Sequence, residues 1–228
     1  MRILAIETVE LTGSVAAIER DQLLAELPLE PGQRSAQSLA PGIQRLLSSV
    51  AWKSTDVQLV AVATGPGSFT GLRIGVTTAK AFAYAVGCEV LGVHTLLSIA
   101  SRVPPEVLEV SVVLDAQRGE LFATDAFRQL DGTFAERDTT QIIARDKWLA
   151  GLQAGQIVTG PGLSKIAAQL PSGVIAVERA FWAPTASSIG QLAERQFSAG
   201  VRESVFGLLP RYFRRTAAEE QWDRKHPG

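Results

Sequence analysis

Residues 65–76 read Gly-Pro-Gly-Ser-Phe-Thr-Gly-Leu-Arg-Ile-Gly-Val, and no other stretch constrains the fold as tightly. The run comes after an apolar segment, residues 59–63, that reads as a buried strand. It opens a segment rich in small residues, 72–86, that reads as a helix. A strand, a glycine turn and a helix N-terminus together present converging backbone N–H groups that can hold an anion. The same glycines also permit positive φ and close approach of helix to strand. Both readings of Gly65 and Gly67 stand at this point. The spacing fails as a phosphate-binding P-loop, because Gly71 is followed by Leu72-Arg73 where Lys-Ser/Thr is needed. Ser68 has Pro66 and Thr70 two positions away on either side, so it is not on a nucleophile elbow.

The surrounding pattern predicts an α/β unit. Segments 3–8, 14–18 and 23–27 read as three strands joined by short turns, an antiparallel meander. From about Ser35 the period becomes helical, with Leu39, Ile43, Leu46, Leu47 and Val50 on one face; Pro41-Gly42 would be tolerable only near the first turn. A strand at 57–63, the helix at 72–86, a strand at 90–93 and a short helix from about Thr95 complete the unit. Pro104-Pro105 then punctuates the chain.

The second half of the chain echoes the first. Ser111–Asp115, a polar turn ending in Gly119 and a further strand repeat the order of Ile3–Glu7, a turn with Gly13 and a strand. Gln156–Gly162 repeats strand–Gly-Pro-Gly and leads into a helix-like stretch at 164–169. Two echoes in the same order predict a duplicated pair of domains, 1–103 and 104–228. A helix at 185–199, capped by Thr185 or Ser187, is free to pack on either. The basic cluster Arg211–Arg215 reads as an edge segment closing the second domain, with contact to nucleic-acid phosphates as the alternative, and the last dozen residues as a frayed charged tail.

Composition removes several function classes. With 228 residues, a net charge of −1 and 46% hydrophobic residues, the chain is neither a disordered polymer nor a protein that coats nucleic acid by itself. One cysteine, Cys88, excludes an internal disulfide; the apolar start is too short for a signal core or a membrane span. Together these predict a cytoplasmic protein. The two histidines, His94 and His226, are far apart. This disfavours a histidine-based metal site and a metal-dependent peptidase; His94 reads as a packed or capping residue and His226 as solvated. Nothing near Cys88 would activate it, so it reads as a small buried residue.

Gly71, Gly75, Thr78, Ala79 and Phe82 fall on one face of the 72–86 helix, while Leu72, Ile74, Val76, Ala83 and Val86 spread apolar character around the rest. A helix apolar on all sides is buried on all sides, which in a chain of this size predicts a partner.

The Gly65–Gly75 run, with Met1–Thr8, Gly92–Leu96, Leu114–Phe122 and Pro210–Arg214, resembles the bacterial TsaB (YeaZ) family over essentially the whole chain. That resemblance implies a duplicated α/β fold of the actin/Hsp70/sugar-kinase class. It implies a non-catalytic partner in adding the threonylcarbamoyl group to adenosine 37 of tRNA, beside a TsaD-like catalytic subunit and a TsaE-like ATPase. Helices 36–50 and 71–86 would meet TsaD or a second copy, making Leu39, Ile43, Leu46, Leu47, Gly71, Leu72, Gly75, Thr78, Ala79 and Phe82 the implied interface. Many relatives have histidine where this chain has Ser35. In this fold class phosphates lie between two strand–acid–turn units, so Glu7, Thr8, Thr12, Gly13, Asp115 and Gly119 are the implied nucleotide candidates. Val9, Glu10 and Leu11 oppose a phosphate there by bulk and charge. The implied chain has no cofactor of its own, a nucleotide at the partner interface is allowed, and tRNA is met only through the complex, away from any membrane. A small ATPase or kinase using Glu7 and Asp115 is the rival reading.

Overall fold

The computed structural model describes residues 1–10, 12–30, 35–214 and 222, with only the backbone of Ser35 and Ala36. Leu11, the Ser35 side chain, Arg215, His226 and the charged tail lie outside the described residues.

The first half builds a five-stranded sheet from β1 (Arg2–Glu7), β2 (Ser14–Glu19), β3 (Gln22–Pro28), β4 (Leu59–Gly65) and β5 (Glu89–His94), in the order β3-β2-β1-β4-β5. β1 pairs antiparallel with β2 and parallel with β4, which pairs parallel with β5. Helices α1 (Ser35–Ser49) and α2 (Phe69–Val86) cross over between these strands, and α3 (Thr95–Ala100) comes directly after β5.

The second half repeats this wiring. β6 (Glu109–Gln117) pairs antiparallel with β7 (Glu120–Arg128) and parallel with β10 (Ile157–Thr159), which pairs parallel with β11 (Ile175–Ala176). β8 (Phe134–Glu136) and β9 (Gln141–Ala144) both pair with β7, and α4 (Arg145–Gly151) stands where α1 stands in the first half. The strand order of the first sheet is therefore repeated by β8-β7-β6-β10-β11, with β9 added. One prediction is corrected: 164–169 is not a helix but two 3-10 turns, Pro161–Lys165 and Ala167–Gln169, separated by Ile166 at φ −134°.

Strand alternation divides the apolar residues between three layers of core. Leu4, Ile6, Val60 and Val62 face α1 and α2. Ile3, Ala5, Leu59 and Ala61 point to the opposite face, where they meet α3 and α5 (Ala186–Ser198), and through them Val110, Val112 and Leu114 of the second sheet. The far side of that sheet packs Val113 and Val158 on Trp148, Leu163 and Ile166. Buried on both faces, β1 and β4 read as continuous apolar runs, as central parallel strands must.

α5 packs against β1 and β2, so the chain returns to the first sheet after completing the second. Its N-cap, Thr185, accepts a hydrogen bond from the Ser188 N–H at 3.1 Å. α2 begins three residues earlier than the sequence pattern suggested, because the Ser68 hydroxyl caps it by accepting from the Gly71 N–H at 3.2 Å. Pro41 lies in the middle of α1, beyond the first turn where it was expected. It is tolerated because it stands on the exposed side, where the carbonyl it leaves unbonded can be hydrated.

Candidate functional site

Two acid-bearing turns face each other where the halves meet. In the first, Glu7 ends β1 at 1% exposure. Its Oε1 accepts from the Val9 N–H and, at 3.3 Å, from the Glu10 N–H, while Oε2 has no partner. Burial above all drives its pKa up to about 8; the Val9 amide opposes this and the Glu10 and Glu26 charges add to it. Glu10 is also raised, by burial and then by the charge of Asp115 on the opposite turn. Thr8 is buried and its hydroxyl donates to the Gly71 carbonyl at 2.8 Å. Thr12 is exposed, and Gly13 lies so close to the chain that a Cβ there would be 2.4 Å from the Glu7 carbonyl.

The glycines of the 65–75 run are occupied by the molecule itself. A Cβ on Gly67 would sit 2.0 Å from Val9 Cγ1, on Gly71 1.9 Å from the Thr8 carbonyl, and on Gly75 2.4 Å from Thr8 Oγ1. Gly65 faces the Arg211 carbonyl, at 2.6 Å from such a Cβ. Of the two readings left open, the steric one accounts for each of these glycines. They let α2 lie against the first turn, and Val9 fills the space over Gly67.

In the second turn, Asp115 is half-buried; Oδ1 accepts from the Gln117 N–H at 3.0 Å and Oδ2 from Lys165 Nζ at 2.5 Å. Gln117, Arg118 and Gly119 all have positive φ, and the Gly119 carbonyl accepts from the Arg145 N–H at 2.9 Å. Beside them lies an open cavity of about 160 Å³ lined by Arg118, Glu120, Arg145, Gly162 and Lys165 among others. Lys165 and Arg145 were not foreseen. Their only sequence signal is position: one comes after the second Gly-Pro-Gly, the other starts the helix equivalent to α1.

His94 is the capping residue that was expected: it is the N-cap of α3 and its Nδ1 accepts from the Leu97 N–H at 3.4 Å. Burial lowers its pKa to about 4; Glu136 pulls the other way and Arg211 adds to the fall. Among the described residues no group of three His, Cys, Asp or Glu is placed to hold a metal ion. Cys88 is half-buried, with its pKa raised by burial.

The implied interface residues divide in two. Leu39, Ile43, Leu46, Leu47, Gly71, Leu72, Gly75 and Ala79 are buried against their own sheet or the β1 turn. The face with the strongest apolar period is the one that packs the chain's own core. Thr78 and Phe82 are half-exposed, on the stripe of α2 that also carries Thr70, Ile74, Thr77, Ala81 and Ala85. Beside it Tyr84, 72% exposed, meets Phe206, 78% exposed, edge to face at 6.1 Å.

Phe206 belongs to a strap, residues 201–214, whose basic end was expected to close the second domain. Most of the strap lies on the first instead. Glu203 bridges to Val90, the carbonyls of Phe206 and Leu208 accept from Lys80 Nζ at 3.2 and 3.1 Å, and Leu208 is fully buried in the α2 core. Phe213 and Arg214 reach the second sheet. The apolar run 205–209 was the available signal; its destination was not legible, because a strap has no period.

The family model described as TsaD, tRNA N6-adenosine threonylcarbamoyltransferase, matches residues 27–222. Among curated proteins, tRNA threonylcarbamoyladenosine biosynthesis protein TsaB of Bacillus subtilis (strain 168) is 28% identical over 227 residues, 97% of this chain and 98% of its own length. The protein of that name from Escherichia coli (strain K12) is 28% identical over 239 residues, spanning 100% and 99%. Among solved structures, YeaZ from Pseudomonas aeruginosa superposes with a TM-score of 0.81 at 24% identity, covering 92% of this chain and 99% of that one, which is a likeness of fold.

Proposed function

The chain belongs to the tRNA N6-adenosine threonylcarbamoyltransferase (TsaD) family. From that premise we propose that it is of the TsaB (YeaZ) type and serves threonylcarbamoylation of tRNA adenosine 37 as a non-catalytic companion that binds and activates a TsaD-like catalytic subunit. One observation carries the non-catalytic half of this reading. The first of the two turns that would have to embrace a phosphate is closed by the chain's own Val9 and Thr8, over an acid buried at 1% exposure. A closed turn of this kind supplies fixed shape rather than chemistry.

The docking surface in this proposal is the outward stripe of α2, Ile74, Thr78 and Phe82, extended by Tyr84 and Phe206. Small residues let a partner helix approach and the two exposed rings supply anchors of the kind that dominate interface energies. The partner shares this chain's family, and related chains that pair commonly do so through equivalent faces, so a second copy would compete for the same stripe. A TsaE-like ATPase would then join the assembled pair. Any nucleotide in the assembly would lie at a joint surface, and tRNA would be met through the complex.

Depletion of the protein in its host is expected to abolish threonylcarbamoyladenosine in bulk tRNA, measured by nucleoside mass spectrometry. Tyr84→Asp with Phe206→Ala is expected to leave the fold intact and abolish co-purification with the catalytic subunit. Normal modification after depletion would end the pathway assignment. Normal modification with a wild-type complex in the double variant would end only the choice of surface.

A further inference from the structure

The end of the strap crosses the seam between the two halves and bonds to both. On the first half, the Arg211 N–H donates to the Thr64 carbonyl at 2.7 Å, and the Arg211 carbonyl fills the space that Gly65, at φ +125°, leaves open. Tyr212 stacks on Phe69 at 4.8 Å and its hydroxyl accepts from Arg73 Nε at 2.9 Å. On the second half, Phe213 meets Phe122 of β7 at 6.2 Å, and Arg214 pairs with Glu120 at the mouth of the cavity. Between them, Phe213 packs edge-on against the His94 ring at 5.8 Å. His94 Nε2 in turn meets Thr140 Oγ1 of the second half at 3.3 Å, and Thr140 donates from Oγ1 and N to Glu136 at 2.6 and 3.1 Å.

We propose that residues 211–214 are a latch that holds the two halves at a fixed angle, and that releasing it opens the seam without unfolding either sheet. Each half has its own layer of core, on α1 and α2 in one and on Trp148, Leu163 and Ile166 in the other. What joins them is the shared layer on α3 and α5, the His94–Thr140 contact, the Arg102 guanidinium donating to the Ala180 and Ala183 carbonyls, and this segment bonded to both sides. In the proposal the segment is the tie whose release lets the seam open. The latch also ties α2, through Arg73 and Phe69, to the turn that carries Glu120, so the two move as one body while it is closed.

Hydrogen exchange on the full chain tests this, read at three amides bonded at the seam, Leu97, Thr140 and Arg211, against Leu4 and Ile6 in the middle of β1. Phe213→Ala is expected to raise exchange at the seam by about tenfold or more, the scale of a local opening, while the β1 amides stay at the global rate. Leu46→Ala, a core change on α1 in the layer that packs the first half alone, is the matched control and should show no seam preference. Arg214→Ala removes a partly exposed contact, is expected to fold, and should shift the same three amides by a smaller factor. Equal changes at the seam and in β1 for both latch variants, or no change at all, would overturn the proposal.

Discussion

Replacing Glu7 by Gln should change how stability depends on pH in one window and not in its neighbour. Glu7 titrates at about 8 in the folded chain and at 4.5 when free of it, chiefly because burial disfavours the carboxylate. Between these values the folded protein holds a proton that the unfolded chain releases. The Glu7 contribution is thus fully present below pH 4.5 and is lost as pH rises to about 8. His94 runs the other way: lowered from 6.5 to about 4 by burial, it keeps its contribution above pH 6.5 and loses it as pH falls towards 4. From about pH 4.5 to 6.5 the two slopes oppose each other. Between 6.5 and 8 the His94 slope is gone and any slope from the raised Glu10 is common to wild type and variant, so Glu7 sets the difference between them, and at about 1.4 kcal/mol per unit its loss there is about 2 kcal/mol. Glu7→Gln keeps an oxygen for the Val9 and Glu10 amides and removes the proton. Urea unfolding at constant ionic strength from pH 5 to 9 should therefore show wild type losing about 2 kcal/mol more than the variant above pH 6.5. Below pH 6.5 the variant should rise with pH, the His94 slope no longer masked. A variant that keeps the full fall above pH 6.5, or a wild type that never shows it, would refute the claim that Glu7 is held neutral in the folded chain.

The same turns make two further outcomes measurable. Gly71→Ala puts a methyl 1.9 Å from the Thr8 carbonyl and should cost about 3 kcal/mol in urea unfolding, whereas Gly87→Ala meets nothing and, at φ +76°, should cost about 1 kcal/mol. Asp115→Ala removes a pair whose lysine is 66% exposed, so it should change stability by less than about 1 kcal/mol in the same assay.

Much of the architecture was legible because it rests on period and punctuation. The antiparallel meander, the crossover helices and the repeat of strand–acid–turn all come from alternation and glycine placement, which a single sequence carries openly. What was less legible shares a physical cause. Leu39, Ile43 and Leu46 have an apolar period, and that period is the same whether the facing surface is one's own sheet or a neighbour's. The stripe left outside, Thr78, Ala81 and Phe82, is weaker in hydrophobic pattern because it meets solvent. Leu208 and Phe213 act through contacts 100 or so residues back along the chain, which no local window can contain.

The two Gly-Pro-Gly turns show how a duplicated plan diverges once one copy carries a core. After the first, 18 helical residues cover half a sheet with Val76, Ala79 and Ala83, so α2 must seat firmly, and Gly71 and Gly75 bring it against Thr8. After the second, Leu163 and Ile166 on two short 3-10 turns fill a smaller layer. There Gly160 and Gly162 approach only the Val113 region of β6, and the Asp115 turn keeps an open cavity at its side. The half that seats α2 thus has its turn filled, and the half with an open turn has no long helix to present. A phosphate clamp needs both turns open at once. The packing that seats α2 on Thr8 is the same packing that closes the first turn, so seating the helix and opening a phosphate clamp are competing uses of one set of glycines.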